Sequence, residues 1–175
     1  MKKIIIIVIV SFMGLLSASN NAKAQGSPVG IGIRVIPFGG AGFTAKFFLD
    51  RNLAIETQLD ATGGYYNPAV TFEGLAEYHF YLPDPSLRIF LGGGVHFGSW
   101  NRYGNENVEH TQAIFGIDGV LGMEYVFKTA PIGISVDINP AFNFVTDVTA
   151  FPNNFFGISG RYYIGHHVHH PVRSD

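Results

Sequence analysis

The chain contains no cysteine. That excludes disulfides, thiolate metal sites and the acylated cysteine of a lipoprotein. Charge is sparse and nearly balanced: 11 Lys and Arg stand against 13 Asp and Glu, a net −2. This excludes an electrostatic claim on nucleic acid. After the first two dozen residues no apolar run approaches the ~20 residues that a helix needs to cross a bilayer. Any membrane crossing must therefore use a closed barrel, the other spanning structure that satisfies its own backbone hydrogen bonds. There is no G-x-S-x-G and no H-E-x-x-H, so the sequence advertises neither a hydrolase elbow nor a zinc protease helix. No cofactor motif is present, and none is expected to be bound.

What the chain has in quantity is aromatic side chains and glycine: Phe 16, Tyr 8 and Gly 22 in 175 residues, a composition suited to strands and tight turns. The N-terminus reads as a secretory signal. Lys2 and Lys3 precede an apolar stretch from Ile4 to Leu16, and Ala22-Lys23-Ala24 offers a small-x-small cleavage site. Residues 1–24 are expected to be removed, residues 25–165 to form one domain, and residues 166–175 to be a flexible His-rich tail in the periplasm.

From residue 29 onward the pattern has period two. Phe43, Ala45, Phe47 and Leu49 alternate with Thr44, Lys46 and Phe48; Leu53, Ile55, Thr57, Leu59 and Ala61 alternate with Ala54, Glu56, Gln58 and Asp60. Such alternation marks a strand with two unlike faces. Eight strands are predicted: Val29–Ile36, Ala41–Leu49, Leu53–Ala61, Ala69–Leu82, Leu87–Ser99, Gln112–Phe127, Ile132–Phe142 and Phe155–Ile164. Asp50 to Asn52, Pro83 to Ser86 and Lys128 to Pro131 are tight, turn-forming connections. Longer stretches lie at 63–68, 100–111 and 143–154; the first connection, Pro37 to Gly40, is short. Short turns at one end and longer loops at the other is the layout of an outer-membrane barrel.

Turn length tests the register. A three-residue turn preserves the odd or even numbering of a face, and a four-residue turn switches it. The apolar face stays odd across Asp50–Asn52, switches from even to odd across Pro83–Ser86, and switches from odd to even across Lys128–Pro131. Chance agreement of all three is about one in eight.

The polar face collects Arg34, Lys46, Glu56, Asp60, Glu73, Glu77, Arg88, Asp118, Glu124, Asp137 and Arg161, with His79 and His96. A soluble barrel would turn these to water. Three features place them inside instead. The apolar face carries aromatics near both strand ends: Phe47, Phe80, Tyr125, Phe127 and Tyr162 at the short-turn end, and Phe43, Phe72, Phe97, Phe115, Phe142 and Phe156 at the other, as the two interfaces of a bilayer require. The polar face is rich in glycine (Gly30, Gly32, Gly92, Gly94, Gly98, Gly116, Gly122, Gly157), which makes room in a narrow lumen for Phe90, Trp100, Tyr163 and the arginines. Opposite charges also meet: Lys46 faces Glu56, Glu73 faces His96 and Tyr81 faces Arg88. Such pairing is what buried charges need.

The last strand, Phe156-Gly157-Ile158-Ser159-Gly160-Arg161-Tyr162-Tyr163-Ile164, resembles the aromatic-rich terminal strand of the small eight-stranded outer-membrane barrels, the OmpA/OmpX type with its porin-like barrel domain. The resemblance covers Val29 to Ile164. It implies an all-β, eight-stranded antiparallel up-and-down transmembrane β-barrel, recognised by the barrel-insertion machinery through that strand. Many relatives end at an aromatic residue; here Ile164 takes that place and eleven residues follow.

Four histidines in the tail, His166, His167, His169 and His170, are weak metal candidates, set against a simple polar tail. Trp100, Arg102 and Tyr103, in a polar connection, are candidates for loop-mediated binding. Arg34, Lys46, Glu56, Asp60, Glu73, Glu77, Arg88, His96, Asp118, Glu124, Asp137 and Arg161 are read as a lumen charge network. No residue is assigned a catalytic role. The expected protein is an integral outer-membrane barrel of a Gram-negative-type bacterium, non-enzymatic and monomeric, serving envelope structure or surface binding. Its partner is outer-membrane lipid, and its loop ligand is unknown. Two alternatives remain: a lipid-modifying barrel enzyme and a secreted, lipocalin-like soluble barrel.

Overall fold

A computed structural model of the chain describes residues 28–37, 39–63, 69–103, 109–144 and 155–165. The signal segment and the histidine tail lie outside the described residues. Nine strand segments form the barrel: β1 (Val29–Ile36), β2 (Gly40–Phe48), β3 (Leu53–Thr62), β4 (Ala69–Tyr81), β5 (Leu87–Tyr103), β6 (Glu109–Val126), β7 (Ile132–Ile138), β8 (Ala141–Asn143) and β9 (Phe156–Ile164). Segments β7 and β8 are one stave, so the barrel has eight. Every pairing is antiparallel, neighbours in sequence are neighbours in space, β9 pairs with β1, and β5 pairs with both β4 and β6. The sheet therefore closes, which removes the free edges that lipid cannot satisfy.

The break between β7 and β8 falls at Asn139 and Pro140. Proline has no N–H for the ladder. The register is nevertheless kept, since Leu121 opposes Ile138 before the break and Asp118 opposes Ala141 after it. The Pro140 carbonyl still accepts from Gly119 N at 2.7 Å.

The three tight turns have the registers that parity required. Phe48 opposes Ala54, Tyr81 opposes Arg88, and Val126 opposes Gly133, with Leu49, Leu82 and Phe127 donating to Leu53, Leu87 and Ile132 at 2.9–3.1 Å. At the opposite end Gly39 takes φ 113°, a left-handed conformation that suits glycine, and closes the first hairpin. Segments β5 and β6 run further than the alternation suggested. Three pairs, Asn101 with Thr111, Arg102 with His110 and Tyr103 with Glu109, continue the hairpin past Trp100. The residues there are polar because this part of the ribbon has left the apolar layer, so the period-two hydrophobic signal stops before the strand does.

A level line from Ile164 passes Val29, Phe47, Ile55, Ala76, Gly93 and Gly119 to Pro140. Continued on the β7–β9 register, it returns to the line of β9 ten residues before Ile164. With strands ~4.8 Å apart, this stagger gives a tilt of about 40° and a backbone radius of about 8 Å. Each residue then climbs about 2.5 Å along the barrel axis. The aromatic pairs Phe72–Phe97, with ring centroids 5.1 Å apart, and Tyr78–Phe80 and Tyr125–Phe127, at 4.9 and 5.1 Å, mark the two ends of the outer surface. Eight residues separate Phe72 from Phe80 and ten separate Phe115 from Tyr125, so the apolar band is about 20–25 Å tall, matching the ~25 Å of transmembrane barrels.

Burial is inverted relative to a soluble protein. Phe43 is 70% exposed and Leu91 49%, whereas Arg34, Lys46, Glu56, Asp60 and Glu73 are all at 0%. Among the described residues, two small apolar clusters lie inside: Phe48, Ala54, Val126 and Tyr163 near the short turns, and Leu75, Phe90 and Val120 above them.

The glycines divide into two sets. A Cβ at Gly122 would sit 2.3 Å from the Phe90 ring, at Gly30 2.6 Å from the Tyr163 ring, and at Gly157 2.1 Å from the Arg34 guanidinium, so these make room for large lumen side chains. At Gly32, Gly92, Gly94, Gly98 and Gly116 the first obstacle is instead a carbonyl oxygen of the neighbouring strand, at 1.8–2.1 Å. These five are small because the strands coil tightly against one another, a backbone requirement that side-chain counting does not reveal.

Candidate functional site: the charged lumen

All twelve residues of the expected lumen network, Arg34 to Arg161, are buried within the barrel. They segregate into two halves. The half nearer the short turns holds Lys46, Arg88 and Arg161 against Glu56, Glu77 and Glu124. Lys46 Nζ lies 2.9 Å from Glu56 Oε2 and 2.7 Å from Glu77 Oε2, and 4.2 Å from the centre of the Phe90 ring. Arg161 bridges Glu56 and Glu124, and is steadied by Ser135 Oγ at 2.7 Å and Thr44 Oγ1 at 3.2 Å. Arg88 Nε donates to Glu124 Oε2 at 2.8 Å, and its guanidinium lies 4.5 Å from the Phe48 ring centre. The Tyr163 hydroxyl donates to Glu124 and accepts from Arg88 at 3.0 Å. Glu56 also accepts from Thr44 Oγ1 at 2.6 Å and Gln58 Nε2 at 2.9 Å. Three cations and three carboxylates thus interlock across the full width of the lumen. Low dielectric strengthens such contacts, and removing any one partner becomes costly.

The other half is unbalanced. Arg34 serves both Asp60, at 3.5 Å, and Asp137, at 2.5 Å. Glu73 accepts from Asn139 Nδ2 at 3.3 Å, while His96 places Nδ1 2.8 Å from Asp118 and Nε2 2.7 Å from the Asn143 side-chain oxygen. Among the twelve network residues, four acids face one arginine and one histidine here, so their excess of seven acids over four Lys and Arg lies in this half.

Register partners are not always side-chain partners. Lys46 opposes Glu56 and touches it. Glu73 opposes His96, yet the ring nitrogens engage Asp118 and Asn143. Tyr81 opposes Arg88, but its hydroxyl donates to the Arg51 carbonyl at 2.8 Å, while Arg88 turns to Glu124. His96 and Arg88 thus find their partners on other strands, and Tyr81 finds its own in the turn between β2 and β3. Gly116, directly across from His96 on β6, leaves the space through which Asp118 is reached. Tyr163, Thr44, Gln58, Ser135 and Asn139 complete the network and were missed by listing charges alone. Their inward parity was the available signal.

Trp100, Arg102 and Tyr103 lie on strand β5, not in a loop. Trp100 is half-buried, four residues beyond His96 on the same face; the Arg102 and Tyr103 side chains are outside the description. At the short-turn rim, outside the apolar layer, Ser86 N donates to Asp84 Oδ1 at 2.9 Å, and Lys128 Nζ reaches Asp84 Oδ2 at 3.2 Å. The Ser86 amide first, then Lys128, holds the Asp84 carboxyl below its usual range.

The fold is shared with a solved structure. The N-terminal β-barrel domain of Pseudomonas aeruginosa OprF superposes with a TM-score of 0.64 at 13% sequence identity, covering 80% of this chain and 98% of that one. The fold is that of an eight-stranded outer-membrane β-barrel. Neisserial surface protein A (NspA) aligns over 78% of this chain and 90% of that one, at 13% identity and a TM-score of 0.47. No family model and no curated protein sequence matches the chain.

Proposed function

We propose that this chain is an integral outer-membrane protein whose barrel is a closed, non-conducting scaffold, and whose role is envelope structure or surface contact rather than catalysis. The inversion of burial carries the reading. Charges at zero exposure inside a closed barrel, with an apolar band about 20–25 Å tall outside, are suited to lipid and not to water. The charge-neutral half blocks the lumen with interlocked side chains, which supports a plug rather than a pore. Among the described residues two acid–histidine pairs exist, Glu77 with His79 and Asp118 with His96. His79 is enclosed between Phe48 and Phe90, with centroids at 5.0 and 5.3 Å, and both nitrogens of His96 are engaged. Neither is set to take a proton from a nucleophile. A monomer in outer-membrane lipid, delivered by its signal segment and inserted through β9, completes the proposal, and the ribbon beyond Trp100 is the surface offered to partners.

Fractionation with gel analysis before and after boiling tests the reading. The protein should be found with outer membranes and should migrate differently once boiled. A mature chain that stays soluble without detergent would favour a lipocalin-like barrel. An altered envelope lipid profile in a deletion strain would favour the lipid-modifying enzyme.

A further inference from the structure

Resting on the reading that the apolar face meets lipid, we propose that the barrel holds its bilayer unevenly. The outer leaflet is thinned beside β1 and β2 and stands at full depth beside β5 and β6. Phe43, Leu59, Phe72, Phe97 and Phe115 are successive register partners, and Phe144 extends the row, its N–H donating to the Phe115 carbonyl at 2.9 Å. Five of the six are phenylalanine, and all six face outward. A row of register partners runs perpendicular to the strands. Because the strands are tilted, each step to the next one climbs about 3 Å along the barrel axis. Phe115 on β6 therefore stands about 12 Å higher than Phe43 on β2, on the opposite side of the barrel.

The short-turn end does not climb with the row. Phe47 lies four residues below Phe43, Phe80 eight below Phe72, and Tyr125 ten below Phe115. These unequal counts absorb the climb and bring the three lower aromatics to within about 4 Å of one level. The apolar face is thus wedge-shaped. It is about 20 Å tall on β2, from Ala41 to Leu49, and about 30 Å on β6, from Phe115 to Phe127. The backbone agrees independently. Strands β1 and β2 reverse at Gly39, whose N–H bonds to the Ile36 carbonyl at 3.1 Å, and β2 begins at Gly40, three residues above Phe43. Strands β5 and β6 instead run six residues beyond Phe97 and Phe115. The first reversal consequently lies no higher than Phe115. In a bilayer whose core reached Phe115 on every side, that turn would sit at the edge of the hydrocarbon or inside it, where lipid-facing irregular backbone is not tolerated. A leaflet that comes down towards Phe43 keeps the turn in water. Bilayers accommodate a short apolar face by thinning locally, at modest cost.

The test uses the mature barrel folded into vesicles of a single long-chain phosphatidylcholine, with a fluorophore on one introduced cysteine. Phe43→Cys and Leu121→Cys lie within about 3 Å of one level on opposite sides of the barrel. The Leu121→Cys label should be quenched most by lipids carrying their quencher near the bilayer centre, and the Phe43→Cys label by lipids quenching near the headgroups. Labels on Leu49→Cys and Tyr125→Cys, at the short-turn end, should report equal depths. Equal depths for the Phe43→Cys and Leu121→Cys labels overturn the proposal. So do unequal depths for the Leu49→Cys and Tyr125→Cys labels, which would mean that the barrel tilts in an even bilayer. Quenching of all four by a water-soluble quencher, with none by lipid, would overturn lipid contact itself and the proposal with it. Should the labelled variants not fold, charge replaces the fluorophore. Phe43→Arg, measured against Phe43→Ala, should lower the folding equilibrium constant by about fivefold or less, and Leu121→Arg, against Leu121→Ala, by about 30-fold or more. Equal losses would overturn the proposal.

Discussion

Lys46 is the most informative residue to remove. Lys46→Met keeps the length of the side chain and deletes the ammonium that touches both Glu56 and Glu77. The two acids are not left in the same state. Glu56 keeps Arg161, the Thr44 hydroxyl and the Gln58 amide. Glu77 keeps the His79 Nε2 contact at 2.9 Å and no fixed cation. The cost of Lys46→Met is therefore mostly the cost of stranding Glu77. Breaking a buried pair by removing one partner costs about 3–5 kcal/mol, and loss of the contact with Phe90 adds roughly 0.5–2 kcal/mol. Glu77→Gln added to Lys46→Met should restore about 2–4 kcal/mol, because it removes the orphaned charge. Glu56→Gln added to Lys46→Met should restore less by at least about 1 kcal/mol, because it also strips Arg161 of a partner and leaves Glu77 in place. Denaturant unfolding in lipid vesicles, followed by Trp100 fluorescence and the boiling-dependent gel shift, measures both cycles. Greater stability of the double variant carrying Glu56→Gln would refute this assignment of the cost, as would additivity of both cycles within about 0.5 kcal/mol.

Leu91→Arg, near the middle of the apolar band, should destabilise the barrel in lipid by about 2–4 kcal/mol; a change within about 0.5 kcal/mol would mean that this face meets water. Gly94→Ala should cost about 1–3 kcal/mol, because its Cβ would lie 1.8 Å from the Gly74 carbonyl oxygen, whereas Gly74→Ala, with nothing within 4 Å, should be neutral or slightly stabilising in the same unfolding assay. The Asp84 carboxyl should titrate below an ordinary aspartate by NMR, and Lys128→Met should move it part of the way back. Its folded-state value is depressed, so whatever stability it contributes is present above the unfolded value and is lost as pH falls through the folded one.

Much of this fold was readable in the residues because a transmembrane barrel obeys period two without exception inside the lipid. The position of Lys46 opposite Glu56 followed from a three-residue turn and a count back along two strands. Reading stopped where that physics stops. Beyond Trp100 the ribbon has left the apolar layer, so its pairing carries no hydrophobic signal. The ring contacts of His96 with Asp118 and Asn143 depend on strand coiling, and a flat register assigns Glu73 instead. Glycines such as Gly94 looked like space for side chains and proved to be contacts between backbones. The segregation of charge into a balanced and an acid-rich half needed the closed barrel, because Arg161 meets Glu56 and Glu124 only across the lumen.

Everything above rests on the apolar face meeting lipid and the charged face filling the lumen. The absence of cysteine makes a direct measurement simple, because any introduced cysteine is unique. A fluorophore on Leu91→Cys, in barrels folded into vesicles, should be quenched most by lipids carrying their quencher near the bilayer centre, and a fluorophore on Tyr162→Cys by lipids quenching at headgroup depth. Neither pattern survives if the face is wrong: strong quenching of the Leu91→Cys label by a water-soluble quencher, with none by lipid, would contradict the account.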